Sequence, residues 1–207
     1  MGFAHGLIYE FVTLFVVLDP VATVPVFLKV TEGLSRQRAI LVAFYAIFVS
    51  FLVLLFFIAG GQFLLEALKI PMPAFQLAGS IVLLLFGLKL VLGNLSKEIA
   101  ELPANATLLQ RAVYPLAIPG IAGAGAMLTV VLLTDNNTRS IAEQVRTTMI
   151  LIVCLGLMFV QFALSRLLYR ILGPSGVEIV SRVFGLIVAS IAVNGLIVSI
   201  KLSFGLT

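Results

Sequence analysis

Tryptophan is absent from this chain, cysteine and histidine occur once each, and fully charged residues make up only 11% of it. Each scarcity removes a class of function. A lone cysteine, Cys154, cannot close an internal disulfide or build a cysteine-rich metal site. A lone histidine, His5, leaves no imidazole pair for acid and base work and is expected at an interface near the start of the chain. The apolar stretches carry neither the paired carboxylates nor the metal ligands that catalysis inside a membrane would need, so no enzyme and no cofactor are expected. Basic residues outnumber acidic ones, 13 to 9, for a net charge of +4 and an isoelectric point near 9.5. They are spread through short connections rather than gathered into one patch, and no nucleic-acid partner is expected.

What the chain has in excess is apolar surface. With 61% hydrophobic residues among 207 and a mean hydropathy of +1.21, it holds more apolar area than a water-soluble domain can hide. It reads as an all-α integral membrane protein whose partner is the lipid bilayer. A hydrocarbon core ~30 Å thick takes ~20 helical residues per crossing, and six stretches qualify, roughly 6–30, 39–66, 73–93, 112–134, 147–168 and 179–202. Helical spans also satisfy their own backbone polar groups. The connections are short, so residues 1–207 form a single membrane domain of six transmembrane helices. The first residues lack a Lys/Arg cluster and the apolar stretch after them is too long for a cleavable leader.

Charge sets the expected orientation. With the N-terminus outside, the cytoplasmic segments hold Lys29, Arg36, Arg38, Lys89, Lys97, Arg111, Arg166, Arg170 and Arg182, against Lys69, Arg139, Arg146 and Lys201 outside. That asymmetry predicts both termini outside.

The first and fourth stretches are interrupted. Asp19-Pro20 and Pro25 break the first, while Pro115, Pro119 and Gly120 break the fourth. Pro20 and Pro119 lie 99 residues apart, and Pro71 and Pro174, ahead of the third and sixth stretches, lie 103 apart. Three spans thus recur as three spans, 1–95 and 108–207. Because three is odd, the second copy enters from the opposite side, which makes the two copies inverted-topology repeats with helices 1 and 4 discontinuous.

Proline has no N–H and its ring displaces the carbonyl four residues earlier. Pro20 and Pro25 therefore release the carbonyls of Val16 and Val21, and Pro115 and Pro119 those of Arg111 and Pro115. Such carbonyls persist in a membrane where they line a cavity or coordinate a cation. Beyond each break a new half-helix presents N–H groups and a positive dipole end to an anion. Together these groups suit a zwitterion. Gly120, Gly123 and Gly125 allow close approach of a ligand or of a neighbouring helix.

Asp19 is the only carboxylate expected deep in a span. Asp-Pro is a natural helix start, with the carboxylate accepting from the N–H of Ala22 or Thr23; a cation, a proton or a substrate ammonium are its functional alternatives. Thr23 lies between the two proline breaks, and Asn194, near the centre of the sixth span, is a further candidate for the substrate site. Thr13, Gln76, Ser80, Thr129, Gln161 and Ser190 are further polar residues inside spans, and Glu178 and Arg182 are placed to pair along a helix. Asp135-Asn-Asn-Thr138 reads as an exposed loop.

At these positions the chain resembles the MarC family of six-span inner-membrane proteins, also described as small neutral amino acid transporters. The resemblance is carried by Leu18-Asp-Pro-Val-Ala-Thr-Val-Pro25 with Thr31-Glu-Gly33, by Phe75-Gln-Leu-Ala-Gly-Ser80, and by Tyr114-Pro-Leu-Ala-Ile-Pro-Gly-Ile-Ala-Gly-Ala-Gly-Ala126. It implies a site where the first and fourth spans unwind, with Asp19, Pro20, Ala22, Thr23 and Pro25 on one wall and Pro119, Gly120, Ala122, Gly123 and Gly125 on the other. Substrates such as glycine and alanine, coupled to sodium or protons, follow from the same resemblance. Two departures stand out: Ala22-Thr23 replaces the family's common Gly-Asn, and Gly123-Ala-Gly125 its frequent Gly-Pro-Gly. The expected function is alternating-access transport of a small neutral amino acid. The alternatives are a channel or exporter for another small solute, or a non-transporting membrane scaffold, and a homo-oligomer is compatible with the chain.

Overall fold

A computed structural model describes residues 3–92, 106–134 and 140–205, and every regular element among them is helical. The chain begins with α1 (Phe3–Leu18) and α2 (Pro20–Val30), which meet at a 45° bend. Asp19 forms the corner in the left-handed region, at a φ of 46°. Its N–H turns back to the Val16 carbonyl at 3.2 Å, and Pro20 then opens α2 where a missing N–H costs nothing.

A turn through Gly33 (φ 76°) leads to α3 (Arg36–Ala67), which Ser35 caps by accepting the Arg38 N–H. Lys69 (φ 55°) and Pro71 stop the chain before α4 (Met72–Leu92). Thr107 and Gln110 form a capping box on α5 (Leu108–Arg111). The segment Ala112–Ile121 that follows is wound wide, with the Ala122 N–H reaching back five residues to the Ala117 carbonyl at 2.8 Å. Within it, Tyr114 (φ −126°, ψ 130°) and Ile118 (φ −128°, ψ 121°) are extended. Each immediately precedes a proline, whose ring drives its predecessor out of the helical region. Both X-Pro peptides, Tyr114-Pro115 and Ile118-Pro119, are cis.

The chain resumes as α6 (Ala124–Leu133), and the two arms of this second bend, Leu108–Ile121 and Gly125–Leu133, meet at 59°. A Ser140–Glu143 capping box starts α7 (Ile141–Ala163), and α8 (Ser165–Phe204) is kinked at Gly173 (φ 65°). By length and apolarity, four helical stretches are able to cross a membrane (Arg36–Gly61, Met72–Leu92, Ile141–Ala163 and Glu178–Phe204), or up to six if each bent pair counts as one span. The fifth stretch begins at Ile141 rather than at 147, because the capping box lies upstream of the apolar run. The loop expected at Asp135–Thr138, together with Lys97 and Arg139, lies outside the described residues, as does the His5 side chain.

Helix α4 runs antiparallel along α8, with Ser80 under Gly195, Gly87 against Ala189 and Leu90 over Gly185. Helix α6 lies antiparallel to α4 as well, Gly79 facing Leu128 and Gly125 facing Leu83. The core, around Leu14, Leu18, Leu54, Leu116, Leu151 and Met158, sits between the bent pairs, α3 and α7. Outward faces of α3 and α7 are apolar, as in Phe48, Phe56, Val153 and Val160, which suits contact with lipid.

Long-range contacts define the two ends of the bundle. At one end Arg111 Nη1 donates to the Val30 carbonyl at 2.8 Å and Arg166 Nη2 to the Leu34 carbonyl at 3.4 Å. At the other, Arg146 of α7 pairs with Glu10 of α1 at 2.5 Å. The first is the basic end, where Lys29, Arg36, Arg38, Arg111, Arg166 and Arg170 gather.

Candidate functional site

The two bends face one cavity. It measures about 400 Å³ and is bounded by Val17 and Val26, one on each arm of the first bend, by Pro115, Pro119, Gly120, Ile121, Gly123, Gly125 and Ala126 of the second, and by Val82, Leu85, Phe86 and Lys89 of α4, with Tyr114 at its edge. Lys89, Val26 and Tyr114 place it in the half of the bundle nearer the basic end. Lys89 is the charged residue among the described lining.

The second bend presents backbone to this cavity. Gly123 starts α6 without a side chain to cap it, and Gly125 and Ala126 of its first turn border the cavity. An uncapped first turn carries unsatisfied N–H groups and the positive end of the helix dipole. The glycines answer to their own chain: a Cβ on Gly123 would lie 2.6 Å from the Pro119 carbonyl oxygen, and one on Gly120 would lie 2.9 Å from that of Pro115. The Pro115 carbonyl, displaced by Pro119, and the Pro119 carbonyl itself need the room that a missing side chain leaves. Gly125, by contrast, lies under side chains of Leu83 and Val17. Ala122 is fully buried behind the wall, and Pro119 is exposed on it.

The first bend presents side chains to the cavity and keeps its polar groups behind them. Asp19 is 0% exposed, Thr23 is 3% exposed and Pro20 is buried, while Pro25 is half-buried; the Ala22 side chain lies outside the described residues. The Pro20 carbonyl, at the start of α2, accepts from two side chains, Thr23 Oγ1 at 2.8 Å and Gln161 Nε2 of α7 at 2.6 Å. The Val16 carbonyl is engaged by the Asp19 N–H, and Val21 is half-buried. Below the bend the rings of Phe27 and Phe162 stack with centroids 4.6 Å apart, so α2 is fastened to α7 by one polar and one aromatic contact. Asn194 stands apart from this group, exposed on α8, where the neighbouring Gly195 is the residue that meets Ser80.

Asp19 is not the only buried carboxylate. Glu10 is 2% exposed, and its two oxygens accept from Arg146 Nη2 (2.5 Å), Arg146 Nε (3.4 Å) and Thr147 Oγ1 (3.1 Å). Its signal in the sequence is a glutamate inside the apolar run of α1; Arg146 lies just ahead of the expected stretch 147–168 and inside α7, which begins at Ile141. Gln161 was legible only as a polar residue in a span; its acceptor lies 141 positions away.

Comparison with known proteins agrees with this architecture. The profile described as "MarC family integral membrane protein" matches residues 4–204. A UPF0056 membrane protein of Pyrococcus abyssi is 33% identical over 198 residues, 95% of this chain and 94% of the relative. One from Aquifex aeolicus is 29% identical over 194 residues, covering 92% and 90%. The UPF0056 inner membrane protein YhgN of Escherichia coli K12 is 30% identical over 183 residues, covering 87% and 89%. No solved structure matches significantly. Full-length similarity, an all-helical bundle and stretches long enough to cross a bilayer converge on one conclusion: the chain is an integral membrane protein of the MarC family.

Proposed function

We propose that the protein is a secondary transporter of small neutral amino acids of the glycine and alanine type, working by alternating access and coupled to a sodium or proton gradient. In this reading each bent pair is one discontinuous span, and the two three-helix halves are inverted repeats in an inner membrane with both termini outside. One observation carries it: the two bends, separated by about a hundred residues of sequence, border a single cavity. Discontinuous helices meeting at mid-membrane are how carriers expose backbone groups to a substrate.

The substrate carboxylate is assigned to the uncapped N–H groups of α6 at Gly125 and Ala126, and the apolar walls from Val17, Val26 and Ile121 suit a small aliphatic side chain. Asp19, Thr23 and Gln161 hold the first bend in place behind the wall. The Glu10–Arg146 pair closes the end of the bundle away from the cavity, so the conformation corresponds to a carrier open toward the basic, cytoplasmic end. Reaching the opposite state requires that pair to part.

Purified protein in proteoliposomes should accumulate or exchange radiolabelled glycine or alanine under an imposed sodium or proton gradient. Uptake should saturate and show counter-transport. No gradient-dependent movement of any small amino acid would refute the assignment, and flux that never saturates would identify a channel.

A further inference from the structure

A second cavity, of about 390 Å³, opens at the basic end, where α2 and α7 finish and α3 and α8 begin. Its polar rim carries Arg36, Arg166 and Ser165; its inner wall is Phe27, Ile40 and Phe162. No acidic side chain lines it among the described residues. Both arginines sit in the first turn of a helix, Arg36 in α3 and Arg166 in α8, where the helix dipole disfavours a cation. Glu32, the acidic residue in the preceding turn, is engaged by Lys29 at 3.1 Å. Arg166 spends one N–H on the Leu34 carbonyl at 3.4 Å, and Arg36 has no hydrogen-bond or ion-pair partner among the described residues. The Ser165 hydroxyl is the third element: the residue is 2% exposed, lines the cavity and makes no hydrogen bond among the described residues.

Two guanidinium groups and an idle hydroxyl converge on a space lined by no acidic side chain among the described residues, where α3 and α8 begin and α2 and α7 end. An anion there would accept from donors that the described residues leave unused. Guanidinium forks match the oxygens of a phosphate. The place of the cavity selects among phosphates: it lies where helices end, at the depth of lipid head groups, and its wall turns apolar toward the bundle, as an acyl chain requires. We propose that this cavity binds the phosphate of an anionic phospholipid, with Arg36, Arg166 and Ser165 as its ligands.

The test uses full-length protein in nanodiscs of phosphatidylcholine with a rising fraction of phosphatidylglycerol, read by thermal midpoint and by native mass spectrometry of retained lipid. The expected result is a saturable rise in midpoint and one preferentially retained phosphatidylglycerol per chain. Arg36→Gln combined with Arg166→Gln should weaken the apparent lipid affinity about tenfold or more, whereas Lys201→Gln at the other end should not. Arg36→Gln alone provides a sign test that does not depend on the double variant folding. It should raise the midpoint in pure phosphatidylcholine, by removing a cation from a helix start, and reduce the gain from phosphatidylglycerol. An equal gain in wild type and variants would overturn the site. A saturable rise with inorganic phosphate in pure phosphatidylcholine, abolished by the same substitutions, would overturn the lipid assignment in favour of a soluble anion.

Discussion

Pro119 and Gly123 depend on each other. The proline ends one stretch of backbone and turns its carbonyl inward, and the glycine four residues on leaves the space that this oxygen occupies. A methyl group on Gly123 would lie 2.6 Å from that oxygen, and backbone, unlike the tip of a flexible side chain, cannot rotate away. Gly123→Ala is therefore expected to shift the bend, lower stability by ~1–3 kcal/mol and abolish uptake. Gly156 in α7 serves as the matched control, since nothing lies within 4 Å of the position its Cβ would take. Gly156→Ala should leave uptake intact and add up to ~1 kcal/mol through helix propensity. Thermal unfolding in detergent beside proteoliposome uptake separates the two outcomes; equal behaviour of both variants would show that the carbonyl contact has no consequence.

Among the elements, α1 and α7 are joined by a partly desolvated ion pair, Arg146 being 19% exposed against 2% for Glu10. Removing one partner of such a pair strands the other, at a cost of about 3–5 kcal/mol, whereas removing both is cheaper. Glu10→Gln should cost ~3 kcal/mol, at the low end of that range, because the amide still accepts from Thr147. Glu10→Gln with Arg146→Gln should recover part of the loss, and thermal midpoints over the four-member cycle give the coupling directly. Additive losses would mean that the pair holds nothing together. The same pair marks the limit of what a sequence discloses. The bends at Pro20 and Pro119 were legible because the proline constraint is local and acts on known neighbours. The partnership of Glu10 with Arg146 was not, because it depends on the register of two helices 136 residues apart. Nor was the α4–α8 pairing, since glycines such as Gly87 and Gly185 mark a close approach without naming what approaches.

At the scale of the molecule, composition alone specified membrane helices, while the site was only half legible. Breaks in the backbone could be located, but which side of each break meets the cavity depends on the rotation of its helices, and Val17 and Val26 line it where Asp19 and Thr23 do not. An orientation in the bilayer is predicted from charge. Lys29, Arg36, Arg38, Lys89, Arg111, Arg166, Arg170 and Arg182 stand at one end of the described bundle, against Lys69, Arg146 and Lys201 at the other. The positive-inside rule predicts that the first end, and with it the mouth of the cavity, faces the cytoplasm. Cysteine labelling tests this without altering charge, because the native thiol, Cys154, is fully buried in α7 and should stay silent. Leu68→Cys lies beyond α3 at the less basic end, and Ser175→Cys lies just past the Gly173 kink at the basic one; both positions are exposed. On intact cells an impermeant maleimide should label Cys at 68 and reach Cys at 175 only after permeabilisation. The reverse pattern would face the cavity and its Lys89 outward, and a carrier resting in that state would load from outside the cell.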